Sequence, residues 1–598
     1  MSKVFFDIEC YRNYFLICFK SESGATRYYE KFNDSPLDID KITSIMNNYS
    51  TVGFNSLSYD LPMLVAGLDG WDNAALKSLS DHIIIDKPAT YKVLKKHNLF
   101  IDKTWDTIDL KHPAPAVGAS LKIYGARMHT KKLQDLPYDV HSVLSREQAD
   151  NVRTYCFNDL QITQELYHQI KDRIELRESI AKQFNIDVDL RSKSDAQIAE
   201  AVFRAKLGIK SVKNELDTKK KYYYKAPDYI KFKSDQLKQL ATNIANTYFT
   251  VMLTKKGKAQ MRDNKVINTK LPIGHTVYKM GIGGLHSTEK HRTVKTDKNS
   301  FLIDVDVVGY YPSLISNNNI APLHLGDAFS ELYELFRVLR AKAKEWKQTK
   351  DSEGYKIMLN GAFGKLLSIF SVLFCPTSFI ATTLTGQLSL LMLIEAVNDM
   401  GCEVVSANTD GITIFGNNAK RDQLNRVLID WQNTTSLELE EVAYKSIHNM
   451  NVNTYIAFKN DGSVKIKGMI ADNWIRKNPH TIICTEAVVN FIDQKKSLID
   501  TIVGCRDLTK FTVMQKSEDG AYYNGELIGN TVRWYYGRSG AKLMSGAGKK
   551  LPRSDGAVPV QQMPDSFPKD INHNVYVNIA KKMLIDLGYN APRQQYLC

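Results

Sequence analysis

The stretch FLIDVDVVGYYPSLI, residues 301–315, has the pattern of a buried strand that ends in a turn. Its apolar run over residues 301–308 is interrupted by two acids, Asp304 and Asp306. Because side chains alternate along a strand, we expect these two carboxylates to share one face. An ionised carboxylate among apolar residues is costly unless it is solvated, paired, hydrogen-bonded or bound to a metal. The stretch therefore predicts either a solvated strand end or a site that uses the two acids.

Two later segments favour a site over a solvated strand end. YKIMLNGAFG at residues 355–364 is predicted to be helical, and VVSANTDGITIFG at residues 404–416 to be a strand hairpin. Together, the three segments resemble the polymerase motifs of family B DNA polymerases. Asp306 begins the match to D-x-x-S-L-Y-P-S, Lys356 begins the match to K-x-x-x-N-S-x-Y-G, and Asp410 is the second aspartate of Y-x-D-T-D-S.

The resemblance implies a DNA polymerase that uses two Mg²⁺ ions per active site, with Mn²⁺ as an alternative. It assigns catalysis to Asp306, Asp410 and Lys356. It assigns metal binding to the same two aspartates and to Val307. Tyr311 matches the ring that excludes a ribose 2′-hydroxyl, which argues for deoxynucleotides. The predicted dNTP-binding residues are Tyr310, Tyr311, Arg340, Lys344, Lys356 and Asn360.

The sequence departs from the family pattern at several positions. Asn408 stands in place of the first aspartate of the third motif and Gly411 in place of its serine, whereas Asp410 is retained. Two carboxylates and the phosphates of a nucleotide still suffice for two Mg²⁺ ions, so we expect activity with an altered metal affinity or a preference for Mn²⁺. Phe363 replaces a tyrosine but keeps a ring for stacking. Asn453 replaces a lysine of the primer-terminus element.

Acidic residues in the N-terminal region are spaced as a second site requires. Asp7 and Glu9 lie at i and i+2 in a predicted strand, and Asp60 lies at a predicted helix start. Asp159 lies four residues after Tyr155, so the two share one face of a predicted helix. Four separated carboxylates suit phosphodiester hydrolysis by two metal ions about 3.5–4 Å apart. Carboxylate oxygens favour Mg²⁺, and we expect no histidine or cysteine cluster to compete for it.

These segments resemble the three exonuclease motifs of proofreading polymerases. The resemblance implies a 3′→5′ exonuclease in which Tyr155 positions the attacking water. The acids that it assigns to metal binding and catalysis are Asp7, Glu9, Asp60 and Asp159. Across both halves of the chain, the residues predicted to contact DNA are Asn55, Ser120, Leu121, Lys132, Gly283, Gly284, Phe363, Tyr455 and Lys467.

The part of the chain between the two motif sets carries weaker signals. KKKYYYK at residues 219–225 interleaves basic and aromatic side chains, which suits phosphate contact and base stacking. A solvated, charged linker explains that composition equally well. MGIGGLHS resembles the Y-x-G-G/A element of the family, which Gly283 and Gly284 match. Residues 539–556 are basic and rich in glycine, as in a loop that grips duplex DNA or in a flexible linker.

The composition of the chain favours some classes of protein and argues against others. The chain has 598 residues, a net charge of +14 and a pI of about 9.0, which favours a polyanionic partner. Its eight cysteines include no C-x-x-C pair, which argues against a zinc ribbon, an iron–sulfur cluster or a disulfide framework. Residues 366–394 are uncharged but contain proline, glycine and many hydroxyl groups. They predict a buried helix, a turn and a second buried helix rather than a membrane span.

The expected fold class is α/β multidomain (α+β), with an RNase H-like exonuclease domain and a right-hand polymerase. The predicted regions are an exonuclease domain at 1–170, a linker at 171–299, a first palm segment at 300–325, fingers at 326–364, a second palm segment at 365–469 and a thumb at 470–598.

The expected function is DNA-directed DNA synthesis with proofreading, in phage DNA replication. The expected partners are primer–template DNA, single-stranded DNA and dNTPs, with a phage helicase, primase or single-strand-binding protein as further candidates. No signal peptide is expected, and we predict a location in the host cytoplasm, away from the membrane. The protein is expected to be a monomer. Two alternatives stay open: an exonuclease whose polymerase site has weakened at Asn408, and a non-catalytic protein that binds DNA ends.

Overall fold

The computed structural model describes residues 1–33, 35–116, 118–209, 214–255, 257–263, 267, 269–472 and 474–589. Within these ranges the chain forms four β-sheets and a set of α-helices around several separate hydrophobic cores. The expected mixed α/β, multidomain architecture is therefore confirmed. Parts of the predicted linker and thumb regions lie outside the described residues.

The N-terminal region is built on a sheet of five strands, counted over the described residues, in the order β3-β2-β1-β4-β5. The strands are β1 (Lys3–Tyr11), β2 (Tyr14–Ser21), β3 (Thr26–Phe32), β4 (Ser50–Gly53) and β5 (Thr107–Asp109). The first three form an antiparallel meander, whereas β4 and β5 run parallel to β1.

Helices cover both faces of this sheet. They are α1 (Ile39–Asn48), α2 (Asp60–Leu68), α3 (Asn73–Asp81), α4 (Thr90–His97), α5 (Leu121–Arg127) and α6 (Arg146–Phe184). One apolar core lies beneath α6, and the other lies beneath α1 to α4. Burial of both faces explains why β1 and β2 are apolar along almost their whole length.

A small antiparallel sheet follows the N-terminal region. Its strands are β6 (Tyr222–Tyr223), β7 (Tyr248–Leu253) and β8 (Ala259–Asp263), and α8 (Asp235–Ala245) shares their core. The helix α7 (Asp195–Lys206) precedes this sheet in the chain. The inner face of this sheet joins the core of the large sheet that follows, where the hydroxyls of Tyr224 and Thr385 are 3.0 Å apart. The KKKYYYK segment is thus anchored in a folded sheet.

The largest sheet is centred on β13, the strand within residues 301–315. Its ten strands in the described chain follow the order β18-β17-β16-β13-β15-β14-β11-β10-β9, and β12 pairs with β16. They are β9 (Lys270–Ile273), β10 (Thr276–Lys279), β11 (His286–Ser287), β12 (Lys290–Lys295), β13 (Ser300–Val307), β14 (Glu403–Asn408), β15 (Gly411–Asn417), β16 (Leu439–Asn451), β17 (Thr454–Lys459) and β18 (Val464–Lys467). The predicted strand over residues 301–308 is confirmed to within one residue.

Helices lie on one side of this sheet and beyond its end. They are α9 (Tyr310–Asn317), α10 (Gly326–Glu345), α11 (Thr349–Lys365), α12 (Pro376–Asp399) and α13 (Arg421–Thr435). α10 and α11 pack with α7 around an aromatic core, and α12 and α13 pack beneath the sheet. The helix predicted over residues 355–364 is confirmed as part of α11.

The prediction of two buried helices over residues 366–394 is wrong. Residues 366–375 form turns, and a single helix, α12, covers the rest. Pro376 occupies the first turn of α12, where its missing N–H has no intrahelical partner to lose, so it starts a helix rather than dividing one. α12 is long and apolar enough to cross a membrane, and 83% of its most apolar window is buried inside the protein. It forms the core helix of this region.

The C-terminal region contains a four-stranded sheet, within the described residues, in the order β21-β19-β20-β22. Its elements are α14 (Ile482–Ile492), α15 (Leu498–Gly504), β19 (Val513–Tyr523), β20 (Glu526–Ala541), β21 (Leu543–Ser545), β22 (Ala557–Pro559) and α16 (His573–Asp586). Residues 539–556 include the end of β20 and all of β21, so they belong to this sheet. The N–H of Leu133 donates to the carbonyl of Gln561 at 2.6 Å, which joins the region to the N-terminal domain.

Candidate active sites

Four acids converge on the central strand of the N-terminal sheet. Asp7 and Glu9 alternate with buried apolar residues along β1. Their carboxylate oxygens lie within 4.8 Å of each other and of the Cys156 sulfur in α6, so the predicted shared face is confirmed. Asp60 is the first residue of α2, and its carboxylate accepts the N–H of Ile8 at 3.0 Å.

The long helix α6 supplies the fourth acid. A capping box between Ser145 and Gln148 starts this helix and fixes its direction across the sheet. Tyr155 and Asp159 follow on its buried side, one turn apart, as predicted. The charge of Asp159 raises the pKa of Asp7, because the two carboxylates are close in space.

Burial raises the pKa of all four acids. For Asp7 the pKa rises to about 7, first because burial disfavours the charged form and then because Asp159 is near. Burial is also the largest cause of the raised pKa of Glu9, Asp60 and Asp159. A divalent cation would relieve this repulsion, and carboxylate oxygens are the donors that Mg²⁺ prefers. The residues present therefore fit a magnesium site.

Two residues beside this cluster were not predicted from the sequence. The ammonium group of Lys122 forms an ion pair with Asp159 and lies 4.2 Å from the centre of the Tyr155 ring. Lys122 directly follows Ser120 and Leu121, which are predicted to contact DNA. Its place beside them in the sequence is the signal that could have identified it. Among the described residues, a single cysteine, Cys156, also adjoins the acids. Burial raises the pKa of its thiol well above the ordinary value, which makes it a poor metal ligand.

The residues predicted to hold a DNA strand near these acids have local partners. Asn55 has a φ of 65°, and its side-chain oxygen accepts from Lys111. Ser120 caps α5, and Leu121 is the first residue of that helix. Lys122, which pairs with Asp159, belongs to the same helix. Lys132 is exposed, and its backbone pairs with the C-terminal region, so it lies at a contact between domains.

A second set of acids lies where β13 and β15 meet. Asp306 is opposite Gly411 on β15 and opposite Glu440 on β16. Asp410 occupies the turn between β14 and β15, and its carbonyl accepts the N–H of Val307 at 2.8 Å. All of these residues except Gly411 line one cavity. Glu440 was not predicted, because its place beside Asp306 arises only from strand pairing.

Gly411 is required by the close packing of this turn. A Cβ atom at position 411 would lie 2.7 Å from the carbonyl oxygen of Val305 and would overlap the carboxylate of Asp306. Real Cβ atoms do not approach a backbone oxygen so closely. The glycine in place of the family's serine therefore allows Asp306 to lie against β15.

Asn408 makes hydrogen bonds that an aspartate could not make. Its Nδ2 donates to the carbonyl of Val452 at 3.2 Å and to the side-chain oxygen of Asn453 at 3.3 Å. Its Oδ1 accepts the hydroxyl of Thr409 at 3.3 Å. A carboxylate at position 408 would face two acceptor oxygens without a proton to donate. This departure from the family pattern thus has a local structural cause.

Asp304 has a different environment from Asp306, although both lie on one face. Its carboxylate accepts from Tyr444 at 2.7 Å, from Thr413 at 2.8 Å and from Lys465 at 3.0 Å. These three donors satisfy the carboxylate, so its role is to hold β13, β15, β16 and β18 together. Lys465 was not predicted, since no local pattern links it to β13.

Burial also raises the pKa of two of the acids that line the cavity, Asp306 and Asp410. The pKa of Asp306 rises to about 6, first because the carboxyl is buried and then because Asp304 is near. Burial raises the pKa of Asp410 as well, and Lys465 partly offsets both shifts. As in the N-terminal cluster, two crowded carboxylates fit a divalent cation.

The cavity beside these acids, here called the nucleotide pocket after its predicted ligand, also has aromatic and cationic side chains in its lining. Its volume is about 510 Å³, which is within the range of small-ligand sites. The rings of Tyr311 and Phe363 stack in it, with centres 3.9 Å apart and planes 11° apart. The hydroxyl of Tyr311 donates to the carbonyl of Gly283 at 2.8 Å. Tyr310 and Asn360, two of the residues predicted to bind a dNTP, also line the cavity.

The predicted triphosphate ligands are divided between two cavities. Arg340 lines the nucleotide pocket, and its buried Nε has no hydrogen-bond partner among the described residues. Lys356 instead pairs with Glu353 at 3.0 Å and lines a neighbouring cavity. Asn360 lines both cavities, and Lys344 is exposed on α10. The structure therefore brings Arg340, but not Lys344 or Lys356, to the acids.

The remaining predicted DNA contacts surround the same acids. Tyr455 and Lys467 pair across β17 and β18, and both line a cavity of about 790 Å³ that reaches the two acids from the other side. Gly283 contacts the nucleotide pocket through its carbonyl. A Cβ atom at Gly284 would lie 3.0 Å from Oγ1 of Thr409, so this turn packs directly against the acid-bearing turn.

No protein-family model matches this chain, and no curated protein matches it. Among solved structures, it is similar to the family B DNA polymerase from the hyperthermophilic archaeon Pyrobaculum calidifontis, with 12% sequence identity and a TM-score of 0.42. The match covers 98% of this chain and 77% of that chain. A match at this level carries no argument about function, so the function must be argued from the residues of the two sites.

Proposed function

We propose that this chain is a DNA-directed DNA polymerase of family B with a 3′→5′ proofreading exonuclease, and that it replicates phage DNA. The observation that carries the proposal is the nucleotide pocket. It combines two crowded acids, Asp306 and Asp410, with the stacked rings of Tyr311 and Phe363 and the half-buried cation of Arg340. The separate acid cluster on β1 supports the second activity.

The sheet orders support the finer domain assignment. The order β3-β2-β1-β4-β5, with β4 and β5 parallel to β1, is consistent with an RNase H-like exonuclease domain. The large sheet that carries Asp306 and Asp410 corresponds to a palm. The long helices α10 and α11 correspond to fingers, and the C-terminal sheet and helices to a thumb.

Each side chain of the pocket has a role in nucleotidyl transfer. Bound at Asp306 and Asp410, two Mg²⁺ ions would activate the primer 3′-hydroxyl and stabilise the leaving pyrophosphate. Arg340 and Asn360 bind the phosphates, because a triphosphate needs donors and positive charge. The ring of Tyr311 closes the space beside the sugar and excludes a 2′-hydroxyl. Tyr455 and Lys467 hold the primer end.

The N-terminal cluster suits hydrolysis of the primer strand. Mg²⁺ ions at its four acids would supply an activated water and stabilise the leaving oxygen. Tyr155 orients that water through its hydroxyl, and Lys122 neutralises part of the negative charge at Asp159. Ser120 and Asn55 hold the single strand. Primer–template DNA, single-stranded DNA and dNTPs are thus the proposed ligands, and a phage helicase, primase or single-strand-binding protein the proposed partners, in the host cytoplasm.

Two observations favour a second candidate, an exonuclease with a weakened polymerase site. Asn408 removes one acid from the third motif, and Lys356 lies in a neighbouring cavity rather than beside the acids. Two other observations argue against this second candidate. The amide of Asn408 has hydrogen-bond partners of its own, and Glu440 adds a carboxylate to the nucleotide pocket.

One experiment separates these candidates. The protein is incubated with a labelled primer–template and Mg²⁺, with and without dNTPs. Extension with dNTPs and 3′ shortening without them would support both activities. Shortening under both conditions would identify an exonuclease, and no turnover under either condition would leave a non-catalytic DNA-binding protein.

A further inference from the structure

The three-stranded sheet formed by β6, β7 and β8 has one buried face and one exposed face. Tyr223 is opposite Tyr248 in the β6–β7 pair, and Thr250 is opposite Arg262 in the β7–β8 pair. Opposite residues of an antiparallel pair share a face, and these four lie on the exposed one. Tyr223 is 56% exposed. The buried face consists of Tyr222, Phe249, Val251 and Met261.

The surroundings of this face are strongly basic. Residues 214–263 contain eleven lysines and arginines against five aspartates and glutamates, a net charge of +6 out of +14 for the whole chain. The ammonium group of Lys221 lies 4.4 Å from the centre of the Tyr248 ring. Because Lys221 precedes Tyr223 by two residues, its contact with Tyr248 lies on the same side of the sheet. Arg262 adds a second cation to that side.

The sheet is firmly held against the core of the protein. The carboxylate of Glu395, in α12, accepts the N–H groups of Lys233 and Ser234 at 2.9 and 2.8 Å. Asn214 donates to two carbonyls in the turns that follow α11, at 3.1 and 2.7 Å. Tyr223 and Tyr248 are therefore presented on a preformed surface.

From these features we infer that the exposed face of this sheet binds single-stranded nucleic acid, with a base stacked on Tyr223 and phosphates bound by Lys221 and Arg262. Aromatic rings on an open sheet, flanked by cations, match the two needs of an unpaired strand: a π-surface for its bases and positive charge for its backbone. A duplex would satisfy the cations but would leave the exposed ring unused, because its bases are already stacked. This site is separate from both acid clusters and is required by neither proposed activity.

The test measures binding in EDTA and without dNTPs, so that neither acid cluster turns over. An oligodeoxynucleotide that contains iododeoxyuridine is photo-crosslinked to the full chain, and the crosslinked peptides are mapped by mass spectrometry. Affinity for a labelled oligodeoxythymidine is measured by fluorescence anisotropy over a range of salt concentrations. These readouts do not depend on the proposed polymerase or exonuclease activity.

The variants distinguish stacking from general charge. Tyr223→Ser should remove the crosslink to β6 and weaken single-strand binding about 5-fold or more, whereas Tyr223→Phe should retain both. Lys221→Gln should lower the salt dependence of binding, because one phosphate contact is lost. The matched control is Tyr91→Ser: Tyr91 is 67% exposed on the lysine-rich helix α4, outside the sheet, and its loss should change neither readout.

Two results would overturn the inference. The first is the absence of crosslinks to residues 219–263 together with wild-type affinity in Tyr223→Ser. The second is a loss of affinity in Lys221→Gln that Tyr223→Ser does not share, since the face would then bind phosphate without stacking a base. Equal melting temperatures for the Ser and Phe variants establish that the comparison concerns binding and not folding.

Discussion

The hydroxyl of Tyr311 donates a hydrogen bond to the carbonyl oxygen of Gly283, at 2.8 Å. The two residues come from separate segments, α9 and the turn before β11. That turn is itself fixed at both ends: Gln387 bonds to the N–H and carbonyl of Gly281, and the carbonyl of Leu285 accepts the N–H of Thr409 at 2.8 Å. One turn therefore holds both the Tyr311 ring and the turn that carries Asp410.

This contact predicts how the pocket selects its sugar. Tyr311→Ala should admit ribonucleotides, because the ring that blocks the 2′-hydroxyl is gone. Tyr311→Phe keeps the ring stacked on Phe363 but loses the tether to Gly283, so its selectivity should fall between wild type and alanine. The measurement is the ratio of kcat/KM for a dNTP to that for the matching rNTP. Identical ratios in all three proteins would show that Tyr311 does not face the sugar.

The two acid clusters predict separable activities. Asp306→Ala should lower primer extension by about 100-fold or more while 3′ shortening persists, and Asp7→Ala should do the reverse. The magnitude follows because loss of a group that merely supports a metal ligand already costs about 10–100-fold. Each variant is the control for the other in gel assays of one labelled primer–template. Extension by Asp306→Ala at the wild-type rate would refute the assignment of the polymerase site.

Local sequence patterns were sufficient to predict the elements that carry the sites, but not their neighbours. The alternation of acids along β1 and β13 is a property of a strand and is visible in the sequence. Glu440 and Lys465 lie beside Asp306 and Asp304 only because β16 and β18 pair in a particular register. That register is set by packing of the whole sheet, so no short stretch encodes it.

Two further differences from the predictions have local causes. The prediction of two helices over residues 366–394 did not recognise that Pro376, which follows the turns of 366–375, starts α12. Lys356 was expected beside the triphosphate because of its motif. It lies instead on the face of α11 that borders the neighbouring cavity, where it pairs with Glu353 one turn earlier.

The hydrogen bonds of Asn408 predict the effect of restoring the family's aspartate. Asn408→Asp would place a carboxylate against the oxygens of Val452 and Asn453 and lose two donors, at a cost of about 1 kcal/mol or more. We therefore expect a lower apparent melting temperature and no gain in primer extension with Mg²⁺. If the variant instead melts like wild type and extends primers faster, Asn408 is a lost metal ligand. Asn453→Asp is the control, because it places a carboxylate at the neighbouring position and keeps an oxygen that can accept the hydrogen bond from Asn408.

Buried His448 predicts a loss of stability in mild acid. This side chain belongs to β16, opposite Thr293 of β12, and is fully buried, with Nδ1 2.9 Å from the hydroxyl of Thr293 and Nε2 3.1 Å from that of Ser446. Burial, with a smaller effect of Lys295, lowers its pKa to about 3. The folded protein therefore keeps the imidazole neutral at pH values where the unfolded chain, with a pKa of about 6.5, is already protonated.

The sign of the pH effect follows from proton uptake. Between pH 6.5 and 3 the unfolded chain binds more protons at this position than the folded chain, so stability falls as the pH falls below about 6.5. His448→Gln keeps polar groups near both hydroxyls but does not titrate, so its apparent melting temperature should fall less than that of wild type between pH 7.5 and 5. His141→Gln is the control, because the side chain of His141 is 51% exposed. Parallel melting curves for wild type and His448→Gln over this range would contradict the prediction, since acid sensitivity would then arise from other groups.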